Sequence, residues 1–238
     1  MTRTLRRGLA VAVVVAAGAS ITAESAAAAG QDRAATGSLI AVMTKYYLAG
    51  TPLLHQSDSA GQAFVAQVAT DCPGALDPSG LSTSQLPVAN ALNLEAGLDE
   101  YIEAFDVPFR AADRTAAAAV KRLSWSNPAI TRMIQKVAAN LAYVASEQPT
   151  DACADVNAAR AGGFTQVPAA TKTLLAQVRG IPQPPSWGTM LDTLQPFITG
   201  KELAAVRRFV QIYDKWWGTG AKISARDSLQ LDQVLGTG

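Results

Sequence analysis

Residues 125–144 read WSNPAITRMIQKVAANLAYV, and the order of these side chains decides the fold class. Asn127 has a side-chain oxygen suited to the first free N–H groups of a helix. Pro128 suits a first turn, where its missing N–H would have had no intrahelical partner anyway. Ile130, Met133, Ile134, Val137, Leu141 and Val144 then recur three and four residues apart, which places them on one face of an α-helix. Outward from this segment the same sequence of cap, apolar stripe and stop signal repeats in both directions.

Upstream, Leu39, Met43, Tyr46 and Tyr47 form a stripe that Gly50-Thr51-Pro52 is expected to end. Phe64, Val65 and Val68 form another that runs into Cys72-Pro73-Gly74. The Pro-, Gly- and Ser-rich stretch from Asp71 to Leu86 reads as a loop or boundary. Ala91, Leu94, Leu98, Tyr101, Ile102 and Phe105 give the next helix an apolar face, which Pro108 should break or kink. An alanine-rich segment follows from Phe109 through Ala116 and Val120 to Leu123.

Downstream, Pro149 ends the central stripe, and Thr150 is placed to cap a short helix from Asp151 to Arg160 that stops at Gly162-Gly163. Pro168 opens another helix, with Leu174, Leu175 and Val178 inside and Gly180 as its stop. Residues 181–187 carry three prolines and read as a stiff, extended connector. A short segment spans Met190 to Phe197. Thr199 and Glu202 then form a capping box ahead of Leu203, Val206, Val210, Tyr213 and Trp217. Gly218 and Gly220 should end that helix, and Ser224 should cap a last one carrying Leu231, Val234 and Leu235. No alternating run of β-branched residues competes. The expectation is an all-α, multi-helix bundle of about eight to ten helices with one interhelical disulfide.

The amino terminus has a different grammar. Arg3, Arg6 and Arg7 precede an apolar run from Leu9 to Ala19 and a small-residue stretch ending in Ala27-Ala28-Ala29, the order of a cleavable secretory signal. The run is shorter than the roughly 18 to 20 apolar residues needed to span a bilayer, so cleavage is preferred to anchoring. Three regions follow: a signal segment over 1–29, a helical bundle over 30–180, and a connector with carboxy-terminal helices over 181–238 packed on the same domain. Cleavage after Ala29 would take the 20 basic and 19 acidic residues to 17 and 18, because three Arg and Glu24 leave with the segment. So balanced a charge predicts no nucleic-acid partner, and no stable membrane span would remain after cleavage. The expected location is secreted or extracytoplasmic.

Cys72 and Cys153 are the cysteines of the chain. In an oxidising compartment their simplest use is one disulfide, and closing about 80 residues is worth roughly 4 to 5 kcal/mol in the chain-entropy model. Free thiols or metal ligands are the alternatives. Two Cys and a single His would need carboxylate help to complete a tetrahedral zinc site, so neither a metal nor a cofactor is expected.

Certain landmarks also resemble a known group. Cys72-Pro73-Gly74, Trp125 with Pro128-Ala129-Ile130, Pro149 with Asp151 and Cys153-Ala154-Asp155, and Gly163-Phe164 before Val167-Pro168 and Thr171 are similar to landmarks of uncharacterised secreted helical proteins of high-GC bacteria. The resemblance covers roughly residues 60 to 175. It implies export, a helical fold and a Cys72–Cys153 bridge, and it carries no activity.

Candidate chemistry is sparse, and no catalytic residue is assigned. His55 is the one histidine, which leaves no bundle-type di-iron motif, and no Gly-x-Ser-x-Gly turn accompanies it. It reads as a polar loop residue. Glu95, Asp99 and Glu103 are spaced i, i+4, i+8 and line one helix face, with Asp106 and Asp113 nearby. Such a row is ordinarily the solvated side of an amphipathic helix, although in a cleft it could serve a hydrolase. Asp151 suits a helix first turn, and Asp155 suits an ion pair with Arg160 or Arg179.

The aromatic candidates are Phe209, Tyr213, Trp216 and Trp217. Adjacent tryptophans point about 100° apart on a helix, so one should be exposed, with Trp216 expected at the bundle edge and Trp217 in the core. Three functions follow. The first is a non-catalytic binding protein for a small apolar ligand or a protein partner. An extracellular hydrolase built on the acidic face is the second, and a structural envelope component the third.

Overall fold

The computed structural model describes the backbone of residues 4–238 and the side chains of residues 25–238. The arginines and apolar run assigned to a signal segment lie outside the described side chains. Eight α-helical segments follow in order: α1 (Thr4–Asp71), α2 (Leu86–Tyr101), α3 (Val107–Lys121), α4 (Pro128–Val144), α5 (Ala152–Ala161), α6 (Ala169–Arg179), α7 (Trp187–Leu194) and α8 (Gly200–Leu235). A wide π turn over Ile102–Asp106 joins α2 to α3 without a break, so the separate helices number seven, slightly below the expected eight to ten. The fold is all-α, and no strand occurs among the described residues.

Local chemistry sets many of the boundaries. Asn127 Oδ1 accepts from the Ala129 N–H at 2.9 Å, with Pro128 in the first turn of α4. The Thr199–Glu202 capping box opens α8, and the proline-rich connector stays extended before Ser186 caps α7. Three expected stops are overridden. Helix α1 continues through Gly50-Thr51-Pro52, α8 continues through Gly218 and Gly220, and Pro108 sits in the first turn of α3 inside a continuous rod. His55 consequently lies on an exposed helix face rather than in a loop.

The reason is tertiary. Helices α1 and α8 lie side by side and run parallel. Tyr47 meets Tyr213, with ring centroids 5.2 Å apart. Gly50 faces Trp216, Leu54 faces Gly220 and Gly61 faces Asp227 at a constant offset along the two helices. Positions 47, 50, 54, 57 and 61 of α1 alternate by three and four, as do 213, 216, 220, 223 and 227 of α8. This is the seam pattern of a parallel coiled coil. Glycine on one helix accepts a bulky side chain from the other. The contact offsets a propensity penalty of roughly 1 kcal/mol per helical glycine.

Three apolar clusters lie along this pair, a small one of Leu54, Phe105, Phe109 and Ile223 and two larger ones. One gathers Leu39 and Met43 of α1 with Ile134 of α4, Leu194 of α7 and Phe209 of α8. The other surrounds the Cys72–Cys153 disulfide, whose Cα atoms are 5.5 Å apart, with Leu76, Leu92, Val156, Leu231 and Leu235. Both cysteines are thus bonded, and the free-thiol and metal-ligand alternatives fall away. Backbone N–H groups of Gly74 and Leu76 donate to Val234 and Leu235 carbonyls, tying the loop after α1 to the end of α8. Among the described residues no helix is long and apolar enough to cross a membrane.

Candidate functional site

The rod from α2 to α3 reverses the expected amphipathicity. Leu94 is 56% exposed, whereas Glu95 and Asp99 are both fully buried. A surface helix has one wet face; this one is packed against α5 and α6 on one side and α1 and α8 on the other. Its acids point inward, with Glu100, Asp106 and Asp113 buried as well.

Each carboxyl meets different company. The Thr150 hydroxyl lies 2.8 Å from Glu95 Oε1 and 2.7 Å from Asp99 Oδ2, while the Thr150 N–H donates to Asp99 Oδ1 at 2.9 Å. Thr171 Oγ1 lies 2.6 Å from Glu95 Oε2 and 2.9 Å from Asp155 Oδ2, and the Thr171 N–H donates to Asp155 at 3.0 Å. Asp155 therefore serves Thr171 rather than Arg160 or Arg179. Thr150 is likewise used here, and Asp151 instead caps α5, accepting from the Ala154 N–H at 3.0 Å. Burial pushes Glu95 up to about 7 against the pull of these hydroxyls, with the Asp155 and Asp99 charges adding to the rise. Asp99 is raised for the same first reason. Glu103, half-buried one turn on, borders a cavity of about 420 Å3 with Thr150 and Cys153.

On the far side of the rod, Glu100 Oε1 and Asp227 Oδ2 are buried over Gly61 without hydrogen-bond partners among the described residues. Burial and then the Asp227 charge push Glu100 up to about 7, partly offset by Arg226, which bridges Asp58 and Asp227. No group of three or more His, Cys, Asp and Glu among the described residues is placed to hold a metal ion.

The largest convergence of functional side chains lies further along the rod. The π turn widens the helix and brings Phe105 and Asp106 to a cavity of about 270 Å3 that is also bounded by α1, α2, α3, α4, the connector, α7 and α8. Four tyrosines, two phenylalanines and three tryptophans line it, nine of the fifteen aromatic residues in the chain. Trp187 Nε1 donates to the Tyr47 hydroxyl at 3.0 Å, and Tyr46 donates to Asp113 Oδ1 at 2.7 Å. Burial pushes Asp113 up to about 6, with the Tyr46 bond pulling the other way.

Two of the lining residues carry a buried polar atom with no partner among the described residues: Asp106, at Oδ2, and Trp216, whose Nε1 lies against Gly50. No N–H or O–H group donates to that Asp106 oxygen. The carboxyl of Glu147 adjoins Asp106, and two carboxyls can hydrogen-bond only through a shared proton. Burial, then Glu147 by that bond and its charge, then the Asp113 charge push Asp106 up to about 9, against the pull of Arg110.

The four aromatic candidates occupy distinct places. Trp216, Tyr213 and Trp217 line the cavity, while Phe209 is buried against Trp187, Tyr213 and Tyr47. The tryptophans are exchanged relative to expectation: Trp217 is 59% exposed, stacked on Tyr213, and Trp216 is tucked against Tyr47 and Phe109. The seam explains the exchange, because position 216 faces Gly50 and position 217 turns away from α1. Sequence reasoning missed Tyr46, Tyr47, Tyr101 and Trp187 as site residues. Comparison with protein families, with curated proteins and with solved structures finds no match for this chain.

Proposed function

We propose that the chain is an exported, non-catalytic binding protein that takes one small, ring-bearing molecule into the aromatic cavity. The observation that carries this reading is the meeting of nine aromatic side chains with the buried carboxyls of Asp106 and Asp113 around one cavity. Aromatic surface supplies apolar contact, and a few placed polar atoms fix orientation, the usual composition of a small-molecule site. A volume of about 270 Å3 suits a ligand of one or two rings. The paired cysteines suit a protein outside the cytoplasm.

A hydrolase built on Glu95 and Asp99 has less support, because both are fully buried and engaged by Thr150 and Thr171. A structural envelope role would leave the inward-facing polar atoms of the cavity without use.

Native mass spectrometry of protein recovered from culture fluid tests the reading, followed by tryptophan fluorescence titration with a panel of one- and two-ring compounds. We expect a one-to-one adduct and a change in emission, since three of the four tryptophans line the cavity. Absence of both across the panel overturns it.

A further inference from the structure

Building on the binding reading above, we infer that the ligand is an organic cation, a quaternary or protonated amine attached to an aromatic or compact apolar body. The cavity lining includes two carboxyls and, among its described residues, no Lys, Arg or His. Arg110, beside Asp106, is not in the lining and donates to the Glu147 carbonyl, so an anion would find no lining group to neutralise it. Ring faces carry negative potential, and Trp, Tyr and Phe faces attract ammonium groups placed within about 6 Å of their centroids. Tyr101 and Trp217 are exposed rings bordering the opening, Tyr101 stacked on Phe105 and Trp217 stacked on Tyr213. Deeper, Trp216 and Phe109 meet edge to face, with centroids 5.7 Å apart. Asp106 stands in this ring-lined space 5% exposed, with Oδ2 unpartnered. Without ligand the Asp106 carboxyl meets only the adjoining Glu147 carboxyl, through a proton; a cation can take that proton's place, and a neutral apolar ligand cannot.

The charged and titratable groups around Asp106 define the proton balance. Tyr101, Arg110 and Asp113 belong to its own rod, Glu147 follows α4, and Tyr46 of α1 reaches it through Asp113. Without ligand, Asp106 retains its proton at neutral pH, because burial and the adjoining Glu147 carboxyl push it up to about 9. A cation entering beside Asp106 releases that proton to solvent as the carboxylate forms. The complex therefore carries one proton fewer than its separate components. Affinity for a permanently charged ligand should rise about tenfold per pH unit between pH 6 and 8.

The test compares benzyltrimethylammonium with its uncharged isostere neopentylbenzene, using the full disulfide-bonded protein and isothermal titration calorimetry in two buffers of different ionisation enthalpy. At pH 8 the cation should bind at least tenfold more tightly than the isostere, with about one proton released per ligand. Asp106→Asn should abolish both the preference for the cation over neopentylbenzene and the proton release. The surface variant Trp217→Leu, which does not disturb the core, should weaken the cation more than the isostere. Equal or tighter binding of neopentylbenzene overturns the cation inference and leaves the binding reading intact. Binding of neither probe, with unchanged tryptophan emission, overturns both. A cation preference that survives Asp106→Asn also overturns the assignment to Asp106.

Discussion

Gly50 approaches the indole of Trp216 so closely that a Cβ on it would stand 2.9 Å from Nε1 and 2.7 Å from Phe109 Cε1. Gly50→Ala adds roughly 1 kcal/mol of helix propensity, but the methyl must displace two rings, and overpacking of this kind costs roughly 1 to 3 kcal/mol. We expect net destabilisation and altered Trp216 emission in urea titrations. Gly218→Ala, with nothing within 4 Å of the added Cβ, should stabilise by up to about 1 kcal/mol. If both glycines respond alike, the seam account fails.

Thr150→Val removes the hydroxyl shared by Glu95 and Asp99 and leaves its N–H bond to Asp99 in place. Losing donors to buried carboxyls costs roughly 1 to 3 kcal/mol. The loss should be larger at pH 8 than at pH 5, because the missing hydroxyl favours the charged form. Thr150→Ser should restore most of it. Denaturant midpoints at the two pH values provide the measurement.

The buried acids also set the direction of the stability–pH curve. Glu95 and Glu100 are raised to about 7, Asp113 to about 6 and Asp106 to about 9. For acids raised on folding, the native state holds more protons than the unfolded one, so stability is greatest below the ordinary carboxylate range and falls as pH rises through these values. Scanning calorimetry should show Tm already falling by pH 5 and lower by roughly a further 5 °C or more at pH 9. Asp106→Asn should flatten the alkaline end of the curve.

Replacing Cys72 and Cys153 by Ser should lower stability by roughly 2 to 5 kcal/mol, since the bond joins residues separated by 81 positions. The far-ultraviolet helical signal should persist at low temperature, because the surrounding cluster draws on α1, α2, α5 and α8. A midpoint unchanged from the parent protein would show the bond to be energetically idle.

Amino-terminal sequencing of protein from culture fluid should begin at Gly30, following cleavage after Ala29. A start at Met1, or retention in the membrane fraction, would remove the export reading.

Much of the fold was legible because its signals are local. Asn127, Pro128 and the Thr199–Glu202 capping box act within one turn, and the stripe through Ile134 and Val137 faces the cluster it implies. Gly50, Pro52, Gly218 and Gly220 misled because they weaken a helix locally while a neighbouring helix holds it. The three-and-four spacing of 47, 50, 54, 57 and 61 was available, but glycine and serine at seam positions conceal it from an apolar count. The inward acids were illegible for a different reason: the donors that tolerate them, Thr150 and Thr171, come from segments distant in sequence. The aromatic cavity is assembled from eight parts of the chain, α2 contributing Tyr101, so the pair at 216 and 217 showed one wall of it.

The parallel pairing of α1 with α8 also fixes an order of events. A chain growing from its amino end reaches residue 199 with the α8-facing side of Tyr47, Gly50, Leu54 and Gly61 still uncovered, because Tyr213, Trp216, Gly220 and Asp227 all lie in the 36-residue α8. The final turns of that helix carry Leu231 and Leu235 and receive the backbone bonds from Gly74 and Leu76. Closing this seam joins positions far apart in sequence, which slows folding relative to a bundle assembled from neighbours. The nascent polypeptide is therefore held short of its native state until α8 has been made, and a chain cut a few turns before Leu235 would stay there.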